Sequence, residues 1–419
     1  MKSRRNYPLL LVSQFLSAFG DNAILAVIVG QLTLMQKQGV ISEVVLRQNS
    51  AIFTSLLFIP YVLLAPLAGY FNDRFAKTSW LIGGNLIKLV GACVCALSIW
   101  YGYNWQAPGY IIVGVGSCFY GPAKYGILPE ILPREQLVKA NGMVELLTLL
   151  AIITGAVAGA FMVDRLSLLL CYGVMLGVFG GSFLLNLLMD RTPSNPNVQL
   201  APSIREFFGH FMRLLQGKRL GKILVGTALF WVCGATMKIN FQPWGLNVLH
   251  LGSNLQVSLL GLWLSVGVMT GSMLAGQWHR VGDLTRSRRY GFLLVGMLLL
   301  LWTVEPWAFW RGWFYEWGGM RLLVPVVGLL IANGFAAGLF LIPLNAALQD
   351  ESEPSKLGKT IAVQNFMDNL GMLLAGFLVW SCTRLTLSAG QVFLVLAVAV
   401  AVVVVWLRIP AKLTETDPL

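Results

Sequence analysis

Charged side chains are scarce in this sequence of 419 residues, where Asp, Glu, Lys and Arg together make up 11%. Soluble domains carry about 25% charged residues, so a water-soluble globule is excluded. Hydrophobic residues make up 57%, and the mean hydropathy is +0.72. Apolar runs of about 20 residues recur, which is typical of spanning helices and not of the short alternating segments of a membrane β-barrel. The composition therefore predicts an all-α membrane protein with many spans.

Enzyme motifs are also missing from the sequence. The three histidines are His210, His250 and His279, and only His279 has an aspartate near the spacing of an acyltransferase base and carboxylate, one residue too close. We find no Gly-x-Ser-x-Gly elbow and no Walker loop. The six cysteines lie in apolar runs without a zinc spacing, as packing residues do. We expect no enzyme, no cofactor and no metal site built from cysteine or histidine.

Twelve apolar segments are long enough to span a bilayer. No signal-peptide cleavage pattern follows the first segment, so we expect it to remain as a span. An even number of spans places both termini on the same side of the membrane. The predicted spans are residues 8–34, 51–72, 79–101, 107–128, 142–164, 166–190, 222–248, 257–279, 289–307, 322–348, 359–381 and 386–408.

The distribution of lysine and arginine orients these spans. With the N-terminus in the cytoplasm, 21 of the 30 basic residues fall on the cytoplasmic side, six fall outside, and three lie within spans. This asymmetry follows the positive-inside rule and predicts cytoplasmic termini. The formal net charge of +12 is explained by topology and anionic lipid, so no nucleic-acid partner is expected.

The longest break between spans, residues 191–221, divides the chain into two halves of six spans, residues 1–190 and 222–419. The break opens with TPSNPN, a linker composition, and continues over residues 203–215 as an amphipathic helix suited to the inner membrane surface. The halves echo each other weakly, as in residues 137–139 (LVK) and 357–359 (LGK). Two pseudo-symmetric halves of six spans indicate a secondary transporter.

Asp21 and Asn22 lie near the middle of the first span, where a carboxylate is costly unless it has a partner, water or an ion. Later spans offer cationic partners in Lys124 and Lys238. We interpret Asp21 as a functional residue and as a candidate site for a sodium ion or a proton. Lys88, in the third span, is interpreted as snorkelling or pairing with a neighbour.

The loop after the second span, residues 69–77 (GYFNDRFAK), resembles the signature Gly-x-x-x-Asp-Arg-x-Gly-x-Arg/Lys-Arg/Lys of the major facilitator superfamily. Gly69 permits close helix contact, and Asp73 is placed to cap the start of a helix from the other half. Arg74 is placed to pair with Glu130. The resemblance implies a cytoplasmic gate, to which we add three charged residues near the starts of spans 5 and 11, Lys139, Glu145 and Asp368. For Glu145 and Asp368 a capping role is the alternative.

Within that superfamily the chain resembles the bacterial lysophospholipid transporters. The resemblance is carried by residues 14–23 (QFLSAFGDNA), 120–130 (YGPAKYGILPE) and 137–142 (LVKANG), all in the first half. It implies that spans 1, 4, 7 and 10 line a central cavity. It also implies headgroup recognition by Asp21, Asn22, Lys124 and Lys238. Tyr120 in span 4 and Asn345 in span 10 are further candidates for substrate contact. Helix packing is the alternative for Asn345, and an internal ion-pair network is the alternative for the two lysines.

The family implies import of lysophosphatidylethanolamine, lysophosphatidylglycerol and related lipids across the bacterial inner membrane, by alternating access, for reacylation. Two lysines can hold a phosphate, and one carboxylate can hold an ammonium or a sodium ion. The expected partners are the lysophospholipid, membrane lipids and a separate acyltransferase. A proton-coupled exporter of drugs or other small molecules in the same superfamily remains the alternative.

Overall fold

The computed structural model describes residues 5–41, 49, 52–53, 56–251, 254–307, 314–317 and 320–409, which are almost entirely helical. A short antiparallel pair, β1 (Phe314–Trp317) and β2 (Met320–Leu323), precedes α14. The helices are α1 (Asn6–Lys37), α2 (Ile59–Leu63), α3 (Ala65–Arg74), α4 (Lys77–Ala96), α5 (Ser98–Tyr101), α6 (Gln106–Gly126), α7 (Leu128–Ile131), α8 (Leu137–Arg165), α9 (Leu168–Leu187), α10 (Leu200–Gln216), α11 (Leu220–Asn247), α12 (Asn254–Trp278), α13 (Ser287–Thr303), α14 (Val324–Glu351), α15 (Leu357–Arg384) and α16 (Ala389–Trp406).

The helices follow the predicted spans closely. Within the described residues, ten are long and apolar enough to cross a membrane. Two of the predicted spans are not among these ten helices. Helix α13 has only 17 residues. The span predicted at residues 51–72 contains undescribed positions and breaks at Leu64 into α2 and α3. Ten helices of this kind are consistent with the twelve predicted spans. The amphipathic segment predicted at residues 203–215 lies in α10.

Two compact units make up the chain, and each contains a short segment from the opposite half of the sequence. The first comprises residues 1–133, 147–211 and 352–366, and the second comprises residues 134–146, 212–351 and 367–419. The exchanged segments are similar: each holds a short 3-10 turn followed by the start of a long helix, α8 or α15. The weak sequence echo at residues 137–139 and 357–359 thus marks equivalent helix starts.

Small residues allow the closest helix contacts inside the first unit. A Cβ added to Gly91 would lie 2.7 Å from the carbonyl oxygen of Gly109, so α4 and α6 pack with their backbones nearly touching. Helix α1 packs on α9, and α9 packs on α4.

The second unit repeats part of this plan. Helix α11 packs on α16, and α16 packs on α13. Close backbone contact through glycine joins a different pair here, α12 and α14, at Gly267 and Gly334. The corresponding pairs, first span on sixth and seventh span on twelfth, show the same internal arrangement in each unit. These equivalent pairs agree with the pseudo-symmetric halves predicted from the sequence.

Candidate functional site

A buried ion pair lies among the helices of the first unit. The Nζ of Lys88 on α4 lies 2.7 Å from Oδ2 of Asp21 on α1. Lys88 is 2% exposed and Asp21 is 9% exposed, so both charges are largely removed from water. Ser117 on α6 donates a hydrogen bond of 2.9 Å to the same carboxylate oxygen. Three helices therefore meet at one carboxylate, and its other oxygen, Oδ1, has no hydrogen-bond partner among the described residues.

A chain of hydrogen bonds extends from this pair through the first unit. Lys88 also donates to Ser17 at 2.7 Å, and Ser17 donates to Oδ1 of Asn85 at 2.8 Å. The amide of Asn85 donates to Ser182 on α9 at 2.7 Å. All these residues are buried. Because polar groups away from water are stable only when bonded, the network fixes the rotamers around Lys88.

Glycines bring α4 and α6 close enough to form the site. A Cβ added to Gly116 would lie 2.5 Å from the carbonyl oxygen of Gly84 and 2.7 Å from Cγ of Lys88. The absent side chain leaves the space through which the lysine stem passes. The ammonium of Lys88 also lies 5.1 Å from the ring centroid of Tyr120, which adds a cation–π contact. Tyr120, predicted as a binding residue, therefore contacts Lys88.

The sequence interpretation offered Lys124 and Lys238 as partners of Asp21 and did not name Lys88. Within the first unit the ion pair of Asp21 is with Lys88. The reason is the close approach of α4, which places Lys88 beside α1. Lys238 lies in the second unit, and its relation to Asp21 stays a prediction. The signal that could have identified Lys88 is its position between Gly84 and Gly91, because small residues on both sides of a lysine indicate a face packed against another helix.

Lys124 lies on α6 at the edge of this network and is partly buried. Its ammonium lies 3.4 Å from Oγ1 of Thr148 and 4.6 Å from the ring centroid of Tyr125. Thr148 donates in turn to Gln14 on α1 at 3.0 Å. Asn22, beside Asp21, donates to the carbonyl of Ala18 one helical turn earlier and is partly exposed. Four of the predicted binding residues, Asp21, Asn22, Tyr120 and Lys124, therefore belong to the first unit.

The remaining predicted binding residues, Lys238 and Asn345, belong to the second unit. Lys238 lies on α11 and is exposed, whereas Asn345 lies on α14 and is 7% exposed. Their roles stay predictions.

The start of α15 is held by the loop predicted as a gate. Both carboxylate oxygens of Asp73 accept from the backbone N–H of Lys359, at 3.2 Å and 3.1 Å. Lys359 lies in the first turn of α15, where unsatisfied N–H groups and the helix dipole favour a negative charge. A Cβ added to Gly69 would lie 3.0 Å from Cα of Lys359, so Gly69 permits this approach. The cap predicted for Asp73 is present, and we name this contact the latch.

Arg74 does not pair with Glu130 as predicted. Its guanidinium donates to the carbonyls of Pro196 at 2.8 Å and Val198 at 2.5 Å in the linker. The partner of Glu130 is Lys77, whose ammonium lies 3.5 Å away and also donates to the carbonyl of Asn72. Arg74 ends α3 beside the linker, whereas Lys77 begins α4, and Lys77 therefore lies beside Glu130.

In the second unit a glycine also lies close to the first turn of a long helix, as Gly69 does at the latch. A Cβ added to Gly276 would lie 2.7 Å from Cα of Lys139. Glu145 and Asp368 are buried in this unit, at 2% and 6% exposed. Their alternative role as helix caps is wrong, because α8 begins at Leu137 and α15 at Leu357, two turns or more before these carboxylates.

Asp73 makes the latch sensitive to pH. Burial raises the pKa of Asp73 to about 7, although the charge of Lys77 and the N–H of Lys359 act in the opposite direction. An aspartate in an unfolded chain has a pKa of about 3.9, so between these values the folded form binds more protons than the unfolded form. Stability therefore falls as pH rises from about 4 to 7, by at most about 4 kcal/mol, and is level above that window.

We expect the thermal midpoint of the wild type to fall relative to that of Asp73→Asn as pH is raised from 5 to 8. Asp283→Asn is the matched control, since hydrogen bonds from Thr285 lower the pKa of Asp283 and place its titration below this window. Parallel midpoint curves for the wild type and Asp73→Asn would contradict the prediction.

Known proteins resemble this chain in sequence and in fold. The model of the Major Facilitator Superfamily matches residues 10–376. A protein of Klebsiella pneumoniae named lysophospholipid transporter LplT is 33% identical over 371 residues, covering 87% of this chain and 85% of the relative. The protein of the same name from Pectobacterium carotovorum is 34% identical over 380 residues, covering 88% and 84%.

Solved structures of low identity share the fold. The human organic anion transporter MFSD10 aligns with a TM-score of 0.78 at 16% identity, covering 97% of this chain and 99% of that one. The fucose:proton symporter FucP of E. coli aligns with a TM-score of 0.70 at 13% identity, covering 99% and 100%. These likenesses confirm the predicted all-α, multi-span membrane fold. The chain belongs to the lysophospholipid transporter family of the major facilitator superfamily.

Proposed function

We propose that this protein moves lysophospholipids across the bacterial inner membrane by alternating access. The observation that carries the proposal is the buried charge cluster on the first, third and fourth spans, in a chain about one third identical to proteins named for this transport. Charges inside a membrane protein are costly and are kept where they bind or relay something. An acyl chain needs only apolar walls, which the spans supply.

The headgroup chemistry fits the cluster. Lysophosphatidylethanolamine carries one phosphate and one ammonium. The ammonium would bind Oδ1 of Asp21, the oxygen that Lys88 and Ser117 leave unbonded. The phosphate would bind Lys124 on the neighbouring span and Lys238 of the second half. Lys88 would act as a positioning residue that fixes the carboxylate. Lysophosphatidylglycerol lacks the ammonium and would use the lysines alone.

The latch would serve as the cytoplasmic gate. Asp73 and Gly69, in the first half of the sequence, hold the start of α15, which belongs to the second half. Alternating access would require this contact to release and form again during transport. Arg74, Glu130, Lys139, Glu145 and Asp368 are proposed to support the gate from both units.

The imported lipid would pass to a separate acyltransferase, and the transporter itself would carry out no covalent chemistry and need no cofactor. A sodium ion or a proton is the alternative to the substrate ammonium at Oδ1 of Asp21, which accepts no hydrogen bond among the described residues, and would then be the coupling ion. Both termini would face the cytoplasm, in keeping with the lysine and arginine count.

The test uses spheroplasts that lack their own uptake route and contain a reacylating enzyme. Radiolabelled lysophosphatidylethanolamine is added outside, and the label is followed into diacyl lipid. We expect wild-type uptake, and at least a tenfold loss in Asp21→Asn and Lys124→Ala at equal protein level. Asp190→Asn, a loss of charge at the end of the sixth span, is the control and should retain uptake. Absence of wild-type uptake would overturn the lipid proposal and favour the exporter alternative.

A further inference from the structure

The linker helix α10 has two faces of different chemistry. Ser203, Phe207 and Leu214 are buried on one face, at 3%, 0% and 7% exposed. The opposite face follows the helical spacing i, i+3, i+4, i+7 and i+8. Its exposed residues, which we name the outer stripe, are Arg205, Phe208, Gly209, Met212 and Arg213.

The buried face of α10 holds the same helix start that the latch holds. The rings of Phe207 and Phe211 lie edge-on to Phe366 of α15, with centroids 6.4 Å and 5.8 Å apart. Nε2 of His210 lies 3.1 Å from Oγ1 of Thr360.

An ion pair adds to this contact. Oε2 of Glu206 lies 3.7 Å from Nζ of Lys359, the residue whose N–H bonds Asp73. Lys359, Thr360 and Phe366 all lie in the first three turns of α15. Anything that fixes α10 in place therefore also favours the docked start of α15.

The outer stripe has the composition of a surface that lies on anionic lipid. Phe208 and Met212 are 58% and 50% exposed, and an arginine stands at each end of the pair. Apolar side chains of this kind insert at the headgroup boundary, while arginines bind lipid phosphates. Residues 188–199 join α10 to the span α9, and only residues 217–219 separate its end from the span α11, which begins at Leu220. The three-residue connection ties the end of α10 to the start of a span, which favours lipid over a separate protein as the partner of the stripe.

We propose that the outer stripe of α10 binds anionic phospholipid of the membrane surface and thereby stabilises the docked start of α15. Lipid that binds α10 better in the docked state shifts the population toward that state by the difference in affinity. Each arginine at an anionic surface contributes about fivefold to the partitioning. The lipid composition of the inner leaflet would thus adjust the cytoplasmic latch, independently of the substrate site.

The test measures amide hydrogen exchange of the full chain in nanodiscs of phosphatidylcholine alone or of an equal mixture with phosphatidylglycerol. We expect the anionic lipid to slow exchange severalfold in residues 204–216 and in residues 357–366. The double variant Arg205→Gln and Arg213→Gln should lose both effects. Arg384→Gln, an exposed arginine at the far end of α15, is the matched control and should keep them. The readout involves no transport, so it does not depend on the substrate proposed above.

Three results are decisive. Equal exchange in the two lipids would overturn the lipid contact. Slower exchange in the linker alone would overturn the coupling to α15. An effect of phosphatidylglycerol that persists in the double arginine variant would overturn the role of the outer stripe.

Discussion

Replacing Lys88 with methionine is expected to abolish transport and to destabilise the protein by about 3–5 kcal/mol, because it leaves Asp21 buried without its charge partner. Methionine keeps most of the volume of the lysine stem, so the loss reflects charge and hydrogen bonding more than a cavity. The Lys88 ammonium bonds Asp21 and Ser17, both at 2.7 Å, and the variant removes both bonds. The measurements are the thermal midpoint in detergent and uptake of labelled lysolipid.

A second variant separates stability from binding. In the double variant Asp21→Asn with Lys88→Met no charge remains at the pair. We therefore expect the thermal midpoint to return most of the way to the wild-type value, while uptake of labelled lysolipid stays absent. Lys218→Met makes the same substitution at an exposed lysine of the linker and should change neither quantity. A Lys88→Met protein with a wild-type midpoint would show that the ion pair does not stabilise the fold.

Replacing Gly116 with alanine is expected to have the next largest effect. The added Cβ would lie 2.5 Å from the carbonyl oxygen of Gly84 and 2.7 Å from Cγ of Lys88. A backbone oxygen cannot move aside without separating α4 from α6. Overpacking costs about 1–3 kcal/mol where side chains can adjust, so we expect at least the upper end of that range. Because separation also moves Lys88 away from Asp21, uptake should fall at least tenfold.

The control is the same substitution at Gly180 on α9, where an added Cβ meets nothing within 4 Å. Alanine has a higher helix propensity than glycine by about 1 kcal/mol, so Gly180→Ala should leave the midpoint equal or slightly higher. If crowding between α4 and α6 causes the destabilisation, valine at position 116 should lower the thermal midpoint further than alanine. Equal midpoints for the alanine variants at positions 116 and 180 would refute the close approach of α4 and α6.

The class of the protein and the course of its spans follow from the amino-acid sequence alone. A low charge content and apolar runs of about 20 residues leave spanning helices as the structure that satisfies backbone polar groups in lipid. The cap by Asp73 was also predictable, because an aspartate after a close-packing glycine is a local pattern with a local physical reason. Asp21 could be identified as functional because a carboxylate inside an apolar span needs a partner.

Which side chains contact each other depends on how the helices pack. Lys88 and Lys124 are equivalent in sequence, as single lysines in apolar spans, yet Lys88 forms the ion pair with Asp21. Whether a lysine reaches Asp21 depends on how closely its helix approaches the neighbouring helices. Gly84 on α4 and Gly116 on α6 allow the close approach of these two helices. Likewise, Lys77 and not Arg74 pairs with Glu130, because the linker carbonyls occupy Arg74. Spacing along the chain fixes the face of a helix on which a side chain lies, but the depth and rotation of the neighbouring helix depend on packing over the whole unit.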